Sequence, residues 1–457
     1  MKHFESQYPI NSREKEISQI LTCIKSGNFN QTISLPGGGR SQLLGFLAYN
    51  KALRTKHLGE KEKLFHFVLC NFSEIRNRPL SDVLKFLFLS TVESLTTIGL
   101  KKIPRLATLA RNDNLQFEIF NNLKKLIEHL TLERNINIVF LFDNFDEYLA
   151  MVTQDFFKYL KDLRRSAPYK FSTVFAVNRP LETMLDQQVI TDIYQFIADH
   201  SVYLNLYDLP SLEFRISSIE KAFAKTIKKE HLEKIIALTG GHVNLTRLCV
   251  ETVLESNIKN DQSLNENSVC DFFLSHKSIQ HTLLEIWKSF TPAEQNSLTL
   301  TLSLRERAGV RGDDNDYLKN IGILSREARS GFARKNGQIT IKLLEYFLKQ
   351  NPSLQTAEQH IAFDETTKEI RKGNLLISDK LTFFEYNLLK FFLQNPNRIA
   401  ERDEIINAVW KNQKLHLGVT DQALDQLVFR VRRKIENNPN NPTHLQTVKS
   451  RGFRFNP

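Results

Sequence analysis

The chain has 457 residues, which at roughly 150 residues per domain implies about three domains. Hydrophobic residues make up 41% and charged residues 25%, which excludes disorder as the main state, and Gly 17 and Pro 13 are too few for a fibrous or linker-rich protein. The 62 basic residues against 51 acidic ones leave a net charge of +11, which favours nucleic acid, an acidic surface or an anionic ligand as partner, or simply a mildly basic surface.

Along the first ~205 residues, short apolar runs alternate with helical patterns. The expected strands are Gln31–Leu35, Leu64–Asn71, Ile136–Phe142, Ser172–Val177 and Val202–Leu206. They read as strands rich in Val, Ile, Leu or Phe, as parallel strands buried on both faces should be. Helices are expected from Pro79 to Ile98 and over Glu118–Leu132, where Ile119, Leu123, Ile127 and Leu130 share one face. Strand–helix alternation of this kind predicts an α/β domain with a parallel sheet.

From about residue 206 the pattern turns helical. Glu213–Lys228, His231–Leu238 and Asn244–Glu255 are expected helices, with Gly240-Gly241 as punctuation. Residues 256–268 read as a loop. In 276–355, Thr291-Pro292 opens a helix to about Leu302, and a β-like Gln338–Ile341 precedes a helix over Lys342–Lys349. That succession suits either a winged-helix-like unit or a purely structural one. Asn351–Gln359 reads as a linker.

The stretch after the first strand is chemically the most specific of the N-terminal half. It runs Ser34-Leu35-Pro36-Gly37-Gly38-Gly39-Arg40-Ser41 and enters the apolar helix Leu43–Tyr49. Glycines let the backbone turn so that several N–H groups converge on a phosphate chain, and the helix start adds its partial positive charge. A following cation meets the outer phosphates and a hydroxyl takes Mg2+. The third strand ends in an acid, Asp143, and the fourth in Asn178-Arg179.

These residues resemble the Walker A and Walker B motifs of P-loop NTPases of the AAA+/STAND kind. Asn11-Ser12-Arg13-Glu14-Lys15-Glu16-Ile17 is similar to that family's N-terminal "GR-x-x-E" segment, and Leu238-Thr239-Gly240-Gly241-His242 to its lid turn. The resemblance covers about residues 8–345. It departs at Ser34, where the first glycine would stand, at Arg40, which replaces the lysine, and at Asn144, where a water-activating acid is usual. Asp146 and Glu147, further on, are the candidate stand-ins for that acid. The resemblance implies ATP or ADP with Mg2+ as cofactors. It assigns Gly37, Gly38, Gly39, Arg40, Ser41, Gln42, Asp143 and Asn178 to the nucleotide, with Ser41 and Asp143 on the metal side. Losing the lysine and the adjacent acid removes two electrostatic contributions to phosphoryl transfer, so hydrolysis is expected to be weak or absent.

The last hundred residues read as short strands (361–364, 369–370, 374–377), then three helices. The first is opened by Leu381-Thr382, with Phe384, Leu388, Leu389 and Phe392 on one side. The second covers Arg402–Lys411, and the third runs from a Thr420 cap to about Glu436. Leu424, Val428, Val431 and Ile435 form the core stripe of the third helix. Its other side carries Gln422, Gln426, Phe429 and Arg433, flanked by Arg430 and Lys434. Gln can read adenine edges, Arg can read guanine or phosphate, and Phe429 could touch a thymine methyl. A hairpin follows, turning at Ser450-Arg451-Gly452 and bearing Lys449, Arg451 and Arg454. Residues 419–457 hold seven Lys/Arg against three acids.

This segment resembles the OmpR/PhoB-type winged-helix DNA-binding domain. The matching pieces are Leu381-Thr382-x-x-Glu385, Leu388-Leu389, Val409-Trp410, Thr420-Asp421-x-x-Leu424-Asp425, Arg430–Lys434 and Thr447-Val448-x-x-Arg451-Gly452-Phe453. It departs at Gln422, often Arg in the family, and at Phe453, often Tyr. The resemblance implies a third helix in the major groove and a wing reaching the minor groove. Double-stranded DNA is then the expected partner, with RNA polymerase and a second copy of the chain as further ones.

The expected architecture is a multidomain α/β + α chain. A P-loop sheet domain spans 1–205, a helical lid 206–275, a middle winged-helix-like unit 276–355 and a winged helix-turn-helix 361–457. The expected function is a nucleotide-binding, sequence-specific DNA-binding transcriptional regulator, with nucleotide as switch or structural ligand. A STAND-type signalling switch that oligomerises on ATP, or an ATP-dependent DNA remodeller, stays open. Nothing ahead of 361 reads as a receiver domain with a phosphorylatable Asp, which disfavours a phosphorelay regulator. Cys23, Cys70, Cys249 and Cys270 lack metal or disulfide spacing, Met1–Ser6 has no apolar run, and no stretch reaches ~18 uninterrupted apolar residues. No membrane partner and a cytoplasmic location are expected.

Overall fold

The computed structural model describes residues 3–97, 115–256, 266–303, 316–324, 338–352, 354, 361–372, 375–410, 420–436, 439, 442–448 and 451–456. Two compact units form. One comprises Met1–Ser289 with Arg311–Leu344, the other Phe290–Val310 with Glu345–Pro457. The boundaries expected at 205 and 275 fall inside the first unit, and the stretch 276–355 is shared between the two.

The first unit is built on a five-stranded parallel sheet of β1 (Asn30–Ile33), β2 (Phe65–Asn71), β3 (Asn137–Asp143), β4 (Phe171–Val177) and β5 (Ser201–Tyr203), in the order β2-β3-β4-β1-β5. Every residue of β4 and nearly every residue of β3 is buried, as both faces are covered. Beneath β3 and β4 lies an aromatic cluster of Phe72, Phe142, Phe145, Phe156, Phe157 and Phe175, with centroid spacings such as 4.9 Å for Phe72–Phe142 and 5.1 Å for Phe145–Phe175. Edge-to-face rings at these spacings add attraction beyond their buried area.

The first strand is not an apolar run: Asn30, Gln31 and Thr32 are buried polar residues. Their partners make that tolerable, because a buried amide costs little once hydrogen-bonded. Gln31 Nε2 donates to Glu182 Oε2 (2.8 Å) and Ser201 Oγ (2.9 Å), and its Oε1 accepts from the Leu181 N–H (2.9 Å). The helix expected at 213–228 is also displaced. It spans Leu209–Phe223, because Asp208 caps it by accepting from the Ser211 N–H (3.1 Å) and Pro210 occupies its first turn. It stops at Ala224, in the left-handed region (φ 49°).

Parallel strands place their carboxyl ends on one edge of the sheet. β4 lies between β1 and β3, so Asn178 falls between the loop that leaves β1 and the acid that ends β3. Ile33 pairs with Val177, and β3 runs beside β4 from Ile138–Phe171 to Phe142–Phe175. In open α/β sheets this edge is where ligands bind. Further helices at Lys229–Thr239 and Val243–Glu255 follow, separated by Gly240-Gly241.

In the middle stretch, helices occur at Lys277–Lys288, Pro292–Ser303, Asp316–Asn320 and Lys342–Gln350, and Leu324 bridges Ile339. Thr291 and Glu294 cap the second of these reciprocally, Thr291 N donating to Glu294 Oε2 (2.8 Å). The winged-helix form expected there turns on residues 325–337, which lie outside the described residues.

The second unit holds a self-contained core from Ile361 to Phe455. An antiparallel sheet of β6 (Ile361–Phe363), β7 (Ile370–Lys372) and β8 (Leu375–Leu376) precedes the helix Phe383–Gln394, which opens with a Thr382/Glu385 capping box. Then come β9 (Ile399–Ala400), the helices Arg402–Val409 and Asp421–Ile435, and a hairpin of β10 (Leu445–Val448) and β11 (Gly452–Phe455) that pairs with β9. Three helices and a terminal hairpin on a short strand are the parts of a winged helix. Among the described residues no helix is long and apolar enough to cross a membrane.

Candidate nucleotide cleft and nucleic-acid interface

The loop after β1 and the helix Arg40–Tyr49 form one wall of a cleft of about 180 Å³. Gly37 to Gln42 line it from below. Asn144, Arg215, Val243, Asn244 and Arg247 close the rest. Gly39 has φ 100°, a conformation that side chains resist, and it turns the chain into the helix at Arg40. The N terminus of that helix therefore faces the cleft, as anion sites require.

Ser41 Oγ donates to Asp143 Oδ1 (2.9 Å), joining the loop to the end of β3. Burial pushes the Asp143 carboxyl above its usual range, while the bonds from Ser41 and from the Asn144 N–H (3.0 Å) pull it back. A hydroxyl beside a desolvated carboxylate is a hard-oxygen donor set that suits Mg2+. Ser41 lines the cleft and Asp143 stands directly behind it, so the pair has the donor chemistry that the expected metal role asks for.

Arg40 is committed elsewhere. Its Nη1 lies 2.9 Å from Asp146 Oδ2, and both side chains are largely buried. Asp146 Oδ1 accepts from the Asn178 N–H (2.7 Å). Glu147 accepts from Ser73 Oγ (3.0 Å) and pairs with Arg76 (2.8 Å). The two stand-in carboxylates are therefore both held by protein donors, and neither lines the cleft. Asn144 turns through the left-handed region (φ 52°) and donates to Asn71 Oδ1 (3.1 Å). The Asn178 side-chain oxygen is buried with no hydrogen-bond partner among the described residues, and its backbone carbonyl accepts from Tyr317 Oη (2.7 Å).

Two further groups lock the loop. His242 caps the helix Val243–Glu255. Its Nε2 donates to the Pro36 carbonyl (2.9 Å) and its Nδ1 accepts from the Leu245 N–H (3.3 Å), which fixes the neutral tautomer. Burial holds its pKa down at about 4. Arg13 is buried, donates to the Asn205 carbonyl, and sends Nη2 to the Gly38 carbonyl (3.5 Å).

In the second unit, the helix Asp421–Ile435 buries Leu424, Leu427, Val428, Val431 and Ile435. Gln422, Gln426, Phe429, Arg430 and Arg433 are exposed on its other side, Phe429 at 44%. The two acids of the helix are exposed but share one counter-ion. Arg402 reaches Asp425 (2.8 Å) and Asp421 (3.4 Å) and lies 5.2 Å from the Phe453 ring centre. Lys434 is structural as much as basic: its Nζ donates to Glu385 Oε2 and to the Lys380 carbonyl, both at 2.6 Å. Arg432 likewise donates to the Leu445 carbonyl and to Thr447 Oγ1, both at 2.8 Å.

The hairpin is bound to this helix by Glu436. Its carboxylate accepts from the N–H groups of Thr443 (2.9 Å), His444 (2.8 Å) and Leu445 (2.7 Å) and from Thr443 Oγ1 (3.0 Å). Gly452 (φ 121°) is required, since a Cβ there would come within 2.1 Å of the Ala400 carbonyl oxygen. Arg451 is exposed at the hairpin tip. Arg454 donates to Gln446 Oε1 (2.8 Å), and Lys449 lies outside the described residues.

Residues 379–455 match the family model described as "Transcriptional regulatory protein, C terminal". This part of the chain is an OmpR/PhoB-type winged-helix domain. The chain is 31% identical over 114 residues to the Regulatory protein VirG of Rhizobium rhizogenes, covering 24% of this chain and 46% of VirG. It spans about half the length of the curated relatives it matches. Among solved structures it is similar to the DNA-binding domain of Klebsiella pneumoniae RstA in complex with the RstA box, at 20% identity over 21% of this chain and 90% of that one, with a TM-score of 0.18. It is also similar to a Walker-type ATPase of Pyrococcus abyssi, at 14% identity over 74% and 95% of the two chains, with a TM-score of 0.47. The first unit has the P-loop NTPase fold, carried by its strand order, its glycine loop after β1 and its acid at the end of β3.

Sequence reading missed Arg215, Asn244 and Arg247 as walls of the cleft. Arg247 donates to Asn244 Oδ1 (2.9 Å) and Glu251 (2.6 Å) on its own helix. Its place one turn after the Gly-Gly-His capping signal could have flagged it. Arg215 has no such signal. In the winged-helix domain, sequence reading missed Arg402, which reaches two acids of the third helix from the neighbouring one.

Proposed function

We propose that the protein is a transcription regulator that binds double-stranded DNA sequence-specifically through its winged-helix domain. ATP or ADP with Mg2+ is held in the cleft as a switch or structural ligand, with weak or no hydrolysis. One observation supports the DNA reading above the others. On the helix Asp421–Ile435 the carboxylates are tied to Arg402 while Gln422, Gln426, Phe429 and Arg433 are left exposed. Amides and guanidinium on one helix face are the groups that read base edges in a major groove. The exposed Arg451 at the hairpin tip suits a minor-groove or phosphate contact. The helix and hairpin tip offer DNA the exposed cations Arg430, Arg433 and Arg451, whereas Lys434 and Arg432 act mainly by holding the helix in place.

The nucleotide reading is supported by the Ser41–Asp143 pair beside a glycine loop and a helix start. Weak hydrolysis is supported by the engagement of Arg40, Asp146 and Glu147 with protein partners. The test is selection of duplexes from a random pool by the full chain, followed by titration of the enriched duplex against a scrambled one at fixed salt. A preference of roughly a thousandfold or more is expected for specific binding. Equal affinity for both duplexes would refute sequence specificity. Nucleotide released from the purified chain by heat, identified by chromatography, tests the cleft.

A further inference from the structure

We propose that the Arg40–Asp146 ion pair sets the length of phosphate chain the cleft accepts, favouring a nucleoside diphosphate over a triphosphate. This rests on the nucleotide reading above. Arg40 opens the helix that follows the glycine loop, the place from which a cation would reach the outermost phosphate. Its Nη1 is held 2.9 Å from Asp146 Oδ2, with side-chain exposures of 10% and 17%. The other oxygen of Asp146 takes the Asn178 N–H at 2.7 Å. One carboxylate therefore occupies two donors at the carboxyl edge of the sheet, the guanidinium after β1 and the amide after β4.

A third phosphate needs positive charge at this edge. Recruiting Arg40 would leave the largely buried Asp146 carboxylate with the Asn178 N–H but no counter-ion, and a desolvated charge without its ion partner is unfavourable. A triphosphate that did not recruit Arg40 would have to balance its extra charge with Mg2+ and the more distant wall residues Arg215 and Arg247, with the Asp146 carboxylate close behind Arg40. A diphosphate meets neither difficulty. It relies on the N–H groups of the glycine loop and on the helix start, and leaves the ion pair intact. Arginine suits such a clamp better than lysine, because its planar fork pairs with carboxylate in a fixed geometry.

The test is calorimetric titration of the full chain with ADP and with ATP in the presence of Mg2+. The wild-type chain should bind ADP about tenfold or more tighter than ATP, and Asp146→Asn should raise the ATP:ADP affinity ratio by about tenfold. Adding Arg40→Gln to Asp146→Asn should cancel that rise, because the freed guanidinium is what the third phosphate gains. Asp146→Ser serves as a second variant should the Asn form melt early. A wild-type chain that binds ATP as tightly as ADP would overturn the proposal. So would an affinity ratio that Asp146→Asn leaves unmoved while ADP still binds, or a rise that survives loss of Arg40. Failure of the wild-type chain to bind either nucleotide would instead overturn the nucleotide reading, and the proposal with it.

Discussion

The two sites treat charge in opposite ways. At the cleft, polar and charged groups are turned on protein partners: Arg40 on Asp146, Ser41 on Asp143, Arg247 on Glu251. In the winged-helix domain, Arg402 takes up the acids of the helix Asp421–Ile435 and leaves that helix's amides, Phe429 and Arg433 to solvent. The cleft is internally compensated, and the helix face is sorted. A compensated site suits a ligand that is held for long periods. A sorted face suits a large anionic partner that arrives and leaves with salt.

The largest expected effect lies on the sorted face. Arg433→Ala and Arg451→Ala should each weaken binding to the selected duplex by about 1–3 kcal/mol, roughly 5- to 150-fold, in fluorescence anisotropy titrations at fixed salt. Unchanged affinity in both would remove the groove assignment. The next effect concerns what holds that face in shape. Glu436→Ala strips four donors of their shared acceptor, three of them backbone N–H groups. It should cost about 2–3 kcal/mol in urea unfolding of the full chain, the scale of leaving buried donors unsatisfied.

The charge pairing itself can be tested by Arg402→Ala, which takes away the one counter-ion that two exposed carboxylates share. Duplex affinity should fall roughly threefold to tenfold at low ionic strength and recover part of the loss as salt screens the repulsion. A loss that does not shrink with salt would point to misfolding rather than exposed charge. The smallest effect tests the compensated cleft. His242 is held neutral with its pKa near 4, against about 6.5 when unfolded. Below pH 6.5 the unfolded chain takes up a proton that the folded chain refuses. Stability that is complete above that pH is therefore lost as pH falls towards 4. His242→Asn keeps a side-chain acceptor for the Leu245 N–H and removes the titration. It should flatten the fall of melting temperature across that window, while His66, also held near 4 by burial, keeps part of the slope.

The difference between the sites also governs what could be read in advance. The winged helix was legible almost residue by residue. Thr420 caps its third helix, Val428 and Val431 face inward, and Gly452 sits where no side chain fits, because each of these is a local rule of periodicity, capping or turn geometry. The P-loop sheet was legible in outline, yet its first strand is polar. Gln31 is buried only because Glu182 and Ser201, far along the chain, supply partners. The helix Leu209–Phe223 carries a local start signal in Asp208 and Pro210, so the expected start at Glu213 is four residues late. What sequence could not supply were pairings across the fold. The capture of Arg40 by Asp146, and of Asp421 and Asp425 by Arg402, join residues from separate elements, and no spacing rule connects them. Motif residues say which groups are present, whereas the pairings decide which of them face a ligand.

The most direct test is the salt dependence of duplex binding by the full chain. The logarithm of the association constant should fall linearly with the logarithm of salt concentration, losing about 0.9 in slope for each phosphate neutralised. Arg433→Ala should reduce that slope by about one contact, while Lys434→Ala, whose ammonium is held by Glu385, should shift melting temperature instead. No duplex binding even at low salt, from a chain that remains folded, would contradict a DNA-reading role for the exposed face of the helix Asp421–Ile435.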